Sequence, residues 1–316
     1  VIGLILAVLT GVCAAAPSPE DVRSLGAAQF DRVAPPPITH TASASMPPDA
    51  RAESPLAALR RRLRAPVAAA HQGGQIGGTW PNTLTNFEHA RLAGVDIVEM
   101  DLHTTSDGVV VVYHDHELSN LTDCTGTIEA KTFAQLRACR FRLRWGSVIP
   151  TFDEVLAWSA GRVVVDAEFK DFESIAPALA LMRQHGAQAW TYFQTQHNRE
   201  KYARARAADA SAALLYVVAT QDDLAWSLSL RDDALLIIEV DERMRSPATI
   251  SAVHAAGKLV TEDAWHFSTV PYEIAGSACT QAYAAGIDIP VSNRASGCAE
   301  QRDEFKRRLT HEPSRP

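Results

Sequence analysis

From residue 66 onward, short apolar runs alternate with longer stretches of mixed character. The runs at 67–70, 95–101, 162–168, 189–194, 212–218, 234–240, 258–261 and 286–290 have strand length. Between and after them, 83–93, 151–159, 172–185, 196–208, 221–230, 247–256, 271–285 and 298–308 read as helices. Thr151 stands before Asp153 and Glu154 as an N-cap before a first-turn acidic pair, and Ser246 precedes Pro247 as a cap precedes an N1 proline. Gly94, Gly186 and Gly257 each follow a helix, where a left-handed residue ends it. Eight strands alternating with eight helices predict one α/β fold, a (β/α)8 TIM barrel over 56–312.

One segment breaks the alternation. Residues 115–150 fall between a strand candidate at 109–113 and the helix at 151, and predict a small insertion after the second barrel strand. Its Phe133, Arg140, Phe141, Arg142, Arg144 and Trp145 are expected to pack within a subdomain of their own.

The N-terminal part follows different rules. Residues 1–12 are apolar and lead into Cys13-Ala-Ala-Ala-Pro17, as in the core and cleavage region of a signal peptide over 1–15. The run falls short of the ~20 apolar residues of a membrane span. No methionine or basic stretch precedes it, so the native start is expected upstream. Residues 16–55 are rich in Ala, Pro and Ser and read as a disordered linker. A short basic helix, 56–63, follows, with Arg60, Arg61, Arg62 and Arg64 expected on a solvated face.

Polar residues gather at strand ends. Glu99 and Asp101 lie two apart, on one face of a strand, where unpaired carboxylates are costly without a cation. Ser106-Asp107-Gly108 turns the chain, and the next strand delivers His114-Asp115. The first strand ends in His71-Gln72-Gly73-Gly74, and the third carries Glu168 and Lys170. Such residues at C-terminal strand ends mark the catalytic face of a (β/α)8 barrel. The competing reading of these residues alone is an exposed strand end with a satisfied core histidine.

Composition adds limits. A chain of 316 residues with 47% apolar and 21% charged residues is that of a globular protein, and the length suits one barrel. A formal net charge of −7 argues against a general nucleic-acid binder. Once Cys13 leaves with the leader, four cysteines remain, which in an exported protein suggests two bridges. Of the three possible pairings, Cys124–Cys139 with Cys279–Cys298 is the most local, and no spacing matches a zinc site.

Taken together, His71-Gln72-Gly73, Trp80-Pro81-Asn82-Thr83, Glu99-Met-Asp101, Asp107-Gly108, His114-Asp115, Ile149-Pro-Thr-Phe152 and Glu168-Phe-Lys170 match in order and spacing the pattern of the glycerophosphodiester phosphodiesterases. The chain resembles that family over roughly 66–295. The resemblance implies acid–base work by His71 and His114, and a divalent cation, Ca2+ or Mg2+, on Glu99, Asp101 and Glu168. It also implies phosphate contacts from Gln72, Lys170 and Arg294. The expected reaction is hydrolysis of a small glycerophosphodiester to glycerol 3-phosphate and an alcohol, by a secreted or periplasmic enzyme with no stable membrane span. Two alternatives remain: a phospholipase D-like action on a lysolipid or sphingolipid head group, or a phosphodiester-binding protein that has lost turnover.

Two positions depart from the family pattern. Gln72 stands where an arginine is usual, and Pro81 directly precedes Asn82 where a glutamate normally intervenes. The first change removes a fixed charge and a two-pronged donor. Asn82 is expected to fix backbone near the mouth, and Glu262, Asp263 and Trp265 to form a rim facing the alcohol. His103 and His116, which flank the centre, are expected to be structural.

Overall fold

The computed structural model describes residues 53–64, 66–74, 81–142, 147–267 and 277–311. The expected leader, most of the expected linker, Arg144 and Trp145 lie outside them. Among the described residues, nine strands join in one sheet. Eight are parallel: β1 (Ala69–Ala70), β2 (Ile97–Thr104), β4 (Val164–Phe169), β5 (Thr191–Gln194), β6 (Ala213–Val218), β7 (Leu235–Val240), β8 (Leu259–Asp263) and β9 (Ile289–Ser292). β1 pairs with both β2 and β9, which closes the ring. The predicted (β/α)8 barrel is present.

β3 (Val110–Val112) stands outside the ring and pairs antiparallel with the end of β2, through Leu102↔Val112 and Thr104↔Val110. The chain then enters the insertion, which has its own core: Val111, Tyr113, Leu118, Ile128, Leu136, Phe141 and Ile149 pack together. The Cys124–Cys139 disulfide ties helix α3 (Phe133–Ala138) and its approach into this unit. Phe141 is buried there as expected, and Arg142 donates to the Thr122 carbonyl at 2.6 Å.

Helices begin where side chains satisfy the orphan amides of a first turn. Thr151 and Glu154 form a reciprocal capping box on α4 (Phe152–Ser159), and Ser246 accepts from the Thr249 amide at the start of α8 (Pro247–Ala255). Gly94, Gly186 and Gly257 all have positive φ at the exits anticipated. Two starts come later than the apolar periodicity suggests. α5 (Ile175–Gln184) waits for Asp171, whose carboxylate accepts from the Ser174 amide at 2.7 Å. α6 (Arg199–Ala208) waits for Asn198, which accepts from the Glu200 and Lys201 amides. The remaining outer helices are α2 (Leu84–Leu92), α7 (Gln221–Ser229), α9 (Ala278–Ala284) and α10 (Ala295–His311). Cys279 and Cys298 bridge α9 to α10, so both expected disulfides are present.

The basic helix α1 (Pro55–Arg62) does more than lead into the barrel. Leu59 and Leu63 are fully buried against Val67, Ala69, Ile97, Val164, Leu236 and Ile289 from the barrel strands. Arg62 donates to the Gly161 carbonyl, and Arg60 to the Asp233 and Gly257 carbonyls. Those carbonyls lie in loops that lead into β4, β7 and β8, so α1 caps the N-terminal end of the barrel. Two of the arginines expected to be merely solvated are therefore tethers. This leaves the C-terminal end as the open mouth. Among the described residues, no helix is long and apolar enough to cross a membrane.

Candidate active site

Parallel register sets the centre of the site. β2 and β4 pair with Glu99 beside Asp166 and Asp101 beside Glu168, so four acids share two neighbouring strands. Oxygens of Glu99, Asp101 and Glu168 all lie within 4.8 Å of one another. Glu99 and Asp101 are almost wholly buried. Burial first, then the charges of Asp101, Asp166 and Glu168, push the Glu99 carboxyl well above its ordinary range, against one stabilising amide from Gln72. Lys170 bonds to Asp101 at 3.0 Å and to Glu168 at 2.9 Å. Burial works against its charge, and these two carboxylates outweigh that, holding Lys170 well above the usual lysine range. The donor set fits a hard divalent cation: three clustered carboxylates, of which one lysine reaches two.

The first turn past β1 brings His71 in. Gln72 has φ 51°, and Gly73 and Gly74 have φ 82° and 73°, a left-handed turn that aims backbone at the acids. The Gln72 amide donates to Glu99 at 2.7 Å. The Gln72 carbonyl accepts from the Asn82 amide and the Asn86 side chain, and Asn82 also donates to Asp101 at 2.7 Å. Asn82 thus fixes the mouth as expected and also orients a carboxylate. Asn86 was not anticipated.

His71 Nδ1 lies 2.8 Å from Asn293 Oδ1, just past the end of β9. An amide oxygen only accepts, so Nδ1 carries the proton and Nε2 holds the lone pair. Burial is the largest influence on this ring and pulls it below the ordinary histidine value of 6.5, against the Asn293 bond and the Asp101 charge. Trp265 covers it, with ring centroids 5.0 Å apart. His114 follows β3 and is more open. Its Nδ1 pairs with Asp115 at 2.6 Å, and Asn120 donates to the other Asp115 oxygen. Burial raises the Asp115 carboxyl, but these hydrogen bonds win and set it below the usual aspartate value of 3.8.

A cavity of about 280 Å³ is lined by His71, Gln72, Asn82, Tyr113, His114 and Phe141, among others. An adjoining opening of about 500 Å³ shares His114 and Asp115 with it and is lined also by Lys170 and Gln196. The two histidines, Gln72 and Lys170 thus converge, beside the three acids that Lys170 and the Gln72 amide touch. Arg294 is exposed, and its amide donates to the Ser292 hydroxyl; its neighbour Asn293 is the residue that touches His71. Of the expected rim, Trp265 reaches the site, whereas Glu262 is buried and held by Arg245 at 2.8 Å.

Three further groups stand at the site. Gln196, φ 53°, lies in the loop before α6 and donates to Glu168. Asp166 accepts from Tyr192 and Gln194 beneath the acids. Glu239, on β7, is pushed up to about 7 by burial and by the charge of Glu168. Asp166 and Glu239 are acids set within the apolar runs of β4 and β7, which is the signal the sequence offers.

Fold and site define a class: a (β/α)8 barrel whose C-terminal mouth joins an oxygen-donor cluster to two oriented histidines. The model of the glycerophosphoryl diester phosphodiesterase family matches residues 71–262, and the chain belongs to this family. It is 37% identical to a glycerophosphodiester phosphodiesterase of Bacillus altitudinis over 93 residues, 28% of this chain and 37% of that one. It is 38% identical to the human glycerophosphodiester phosphodiesterase 1 over 97 residues, 28% of this chain and 29% of that one. The matched stretch therefore spans about a third of the length of each of these two curated relatives. Among solved structures, a phosphodiesterase of Oleispira antarctica in complex with its product sn-glycerol-3-phosphate has a TM-score of 0.65 at 24% identity, covering 76% of this chain and 97% of that one. At that identity the likeness establishes the fold.

Proposed function

We propose that this protein is a cation-dependent glycerophosphodiester phosphodiesterase that releases glycerol 3-phosphate and an alcohol. The observation that carries the reading is the pair of histidines around one cavity, each oriented through Nδ1 by a different oxygen partner, beside the carboxylate trio. The family assignment and the product seen in the Oleispira antarctica relative support the substrate class.

The two environments divide the labour. His71, half-buried and held neutral, presents Nε2 as base to the attacking hydroxyl. His114, whose Nδ1 is held by the Asp115 carboxylate, serves as the acid toward the leaving alkoxide. With the substrate's own glycerol hydroxyl as nucleophile, a new P–O bond closes a cyclic phosphate while the bond to the alcohol breaks. Water then opens the ring, with the histidines exchanging roles. Glu99, Asp101 and Glu168 would hold Ca2+ or Mg2+, which when bound offsets charge on the phosphoryl oxygens. Lys170 adds fixed positive charge beside them. Gln72 offers the phosphate a neutral amide.

The reading includes an exported protein: an apolar leader-like start and two disulfides both suit an oxidising compartment. A lysolipid substrate is less favoured. An apolar groove of about 640 Å³ runs between the 108–110 turn, Phe133 and α5, and none of the site residues lines it.

The test is glycerol 3-phosphate release from glycerophosphocholine after EDTA treatment, with Ca2+ or Mg2+ restored, by wild type, His71→Ala and His114→Ala. Turnover that needs the cation and is lost in both variants is expected. Release from lysophosphatidylcholine alone would move the substrate class to lysolipids. Absence of turnover on both substrates by folded, cation-loaded protein would overturn the reading.

A further inference from the structure

β2 does not stop at Asp101. It runs to Thr104, and its period of two puts His103 on the face that carries Glu99 and Asp101. The ring of His103 is fully buried. Its Nε2 lies 3.3 Å from the backbone carbonyl of His114. A carbonyl only accepts, so in the neutral ring Nε2 carries the proton and Nδ1 is a bare lone pair. That lone pair faces Glu129 Oε1 at 3.2 Å and Asp171 Oδ2 at 3.7 Å, which are acceptors too. Acceptor against acceptor beside a buried ring calls for a positive group between them.

His116 supplies a second nitrogen. Its Nδ1 lies 3.1 Å from the same Glu129 oxygen, and its ring stands edge-on to His103 with centroids 4.9 Å apart. The two nitrogens and the oxygen lie within 4.8 Å of one another. They come from β2, the segment after β3, and the insertion, so the fold and not local sequence assembles them. His116 is largely exposed, which leaves a path for an ion and its water. A histidine whose far nitrogen donates to a backbone carbonyl is oriented as metal-binding histidines usually are.

We propose that His103, His116 and Glu129 form a second cation site, for a divalent metal of the nitrogen-seeking class to which Zn2+ belongs. The donor sets sort the metals. Two imidazoles and one carboxylate suit Zn2+, whereas Glu99, Asp101 and Glu168 offer oxygen alone and suit Ca2+ or Mg2+. The consequence is positional. His103 holds the carbonyl of His114, and His116 lies two residues further on, so a metal between their rings clamps the segment that presents His114. His103 and His116, expected to be structural, would then be structural through a metal. This inference does not depend on the proposed reaction.

The test uses the full chain, stripped with chelator and then saturated with Ca2+ to fill the oxygen site. Zn2+ binding is measured by calorimetry and Co2+ binding by its visible d–d absorption, in wild type, His116→Ala, Glu129→Gln and Glu99→Gln, with folding checked by circular dichroism. The expected result is one equivalent of Zn2+ and a Co2+ band in wild type and in Glu99→Gln. Affinity should fall by roughly tenfold or more in His116→Ala and Glu129→Gln. Zn2+ affinity unchanged by His116→Ala would overturn the proposal. So would loss of binding in Glu99→Gln alone, which would assign the ion to the oxygen site, or no Co2+ band in wild type, which would leave a protonated His103 bridging two carboxylates.

Discussion

His71 and His114 have the same side chain and opposite surroundings, and that difference is measurable. The base must be neutral to act, and burial holds His71 below 6.5. The acid limb of kcat/KM is therefore expected below the ordinary histidine range, a position that a pH profile locates. Asp115→Asn removes the carboxylate that holds His114 Nδ1 and invites the wrong tautomer. It should lower kcat by roughly 10²–10⁴ with KM little changed; an effect confined to KM would exclude the orienting role. Gln72 gives the complementary case. Its side chain lines the cavity, and its backbone amide already serves Glu99. Gln72→Arg should lower KM for glycerophosphocholine by about 10-fold, the worth of a charge-assisted hydrogen bond, and leave kcat near wild type. A higher KM would mean that the guanidinium competes with the cation.

At the scale of elements, the sequence was legible where a periodic pattern runs long, and less so where the chain leaves it. All eight barrel strands, both disulfides and the insertion follow from apolar spacing and cysteine locality. The carboxylates and histidines were legible because each stands within a motif. Apart from Asp166, Glu239 and Asn86, which lie within elements, what was missed lies at element ends. Caps fix those ends, and period cannot place them. Asn198 delays α6 and leaves Gln196 in a loop beside Glu168. β9 runs two residues past its expected end, which carries Asn293 to His71. β2 runs three past, which aligns His103 with the acids. The turn after β1 shows how narrow such ends are. A Cβ on Gly73 would fall 2.5 Å from Asn86 Nδ2 and 2.8 Å from Phe87 Cδ1, at φ +82°. Gly73→Ala is expected to cost roughly 2–4 kcal/mol in chemical denaturation, and to cut activity even where the protein folds. The bridge between α9 and α10 makes a cleaner stability test, because neither cysteine lines the two site cavities. Replacing Cys279 and Cys298 by serine should cost about 2–4 kcal/mol and leave KM unchanged.

Across the whole molecule, the barrel collects negative charge at its centre and has few cations there to answer it. A carboxyl whose pKa is higher folded than unfolded holds its proton more tightly in the native state. Its stabilisation is complete below the unfolded value and is given up as pH rises through the folded one. Glu99 lies well above its ordinary 4.5 and Glu239 at about 7, so both contribute stability that is lost toward neutral pH in cation-free protein. His71 and His103, both displaced below 6.5 by desolvation, act the other way, and their contribution is complete once pH exceeds that value. Comparison with Glu99→Gln isolates the carboxylate. In EDTA, wild type should lose several degrees of Tm relative to Glu99→Gln between about pH 5 and pH 8. Saturating Ca2+ should reverse the order, because the ion binds the deprotonated trio and adds about 2.7 kcal/mol at a hundredfold excess over Kd. That gain should be absent in Glu99→Gln. Parallel Tm curves for the two proteins, with and without Ca2+, would mean that Glu99 is neither strained by its neighbours nor a ligand, and would remove the cation from the mouth of the barrel.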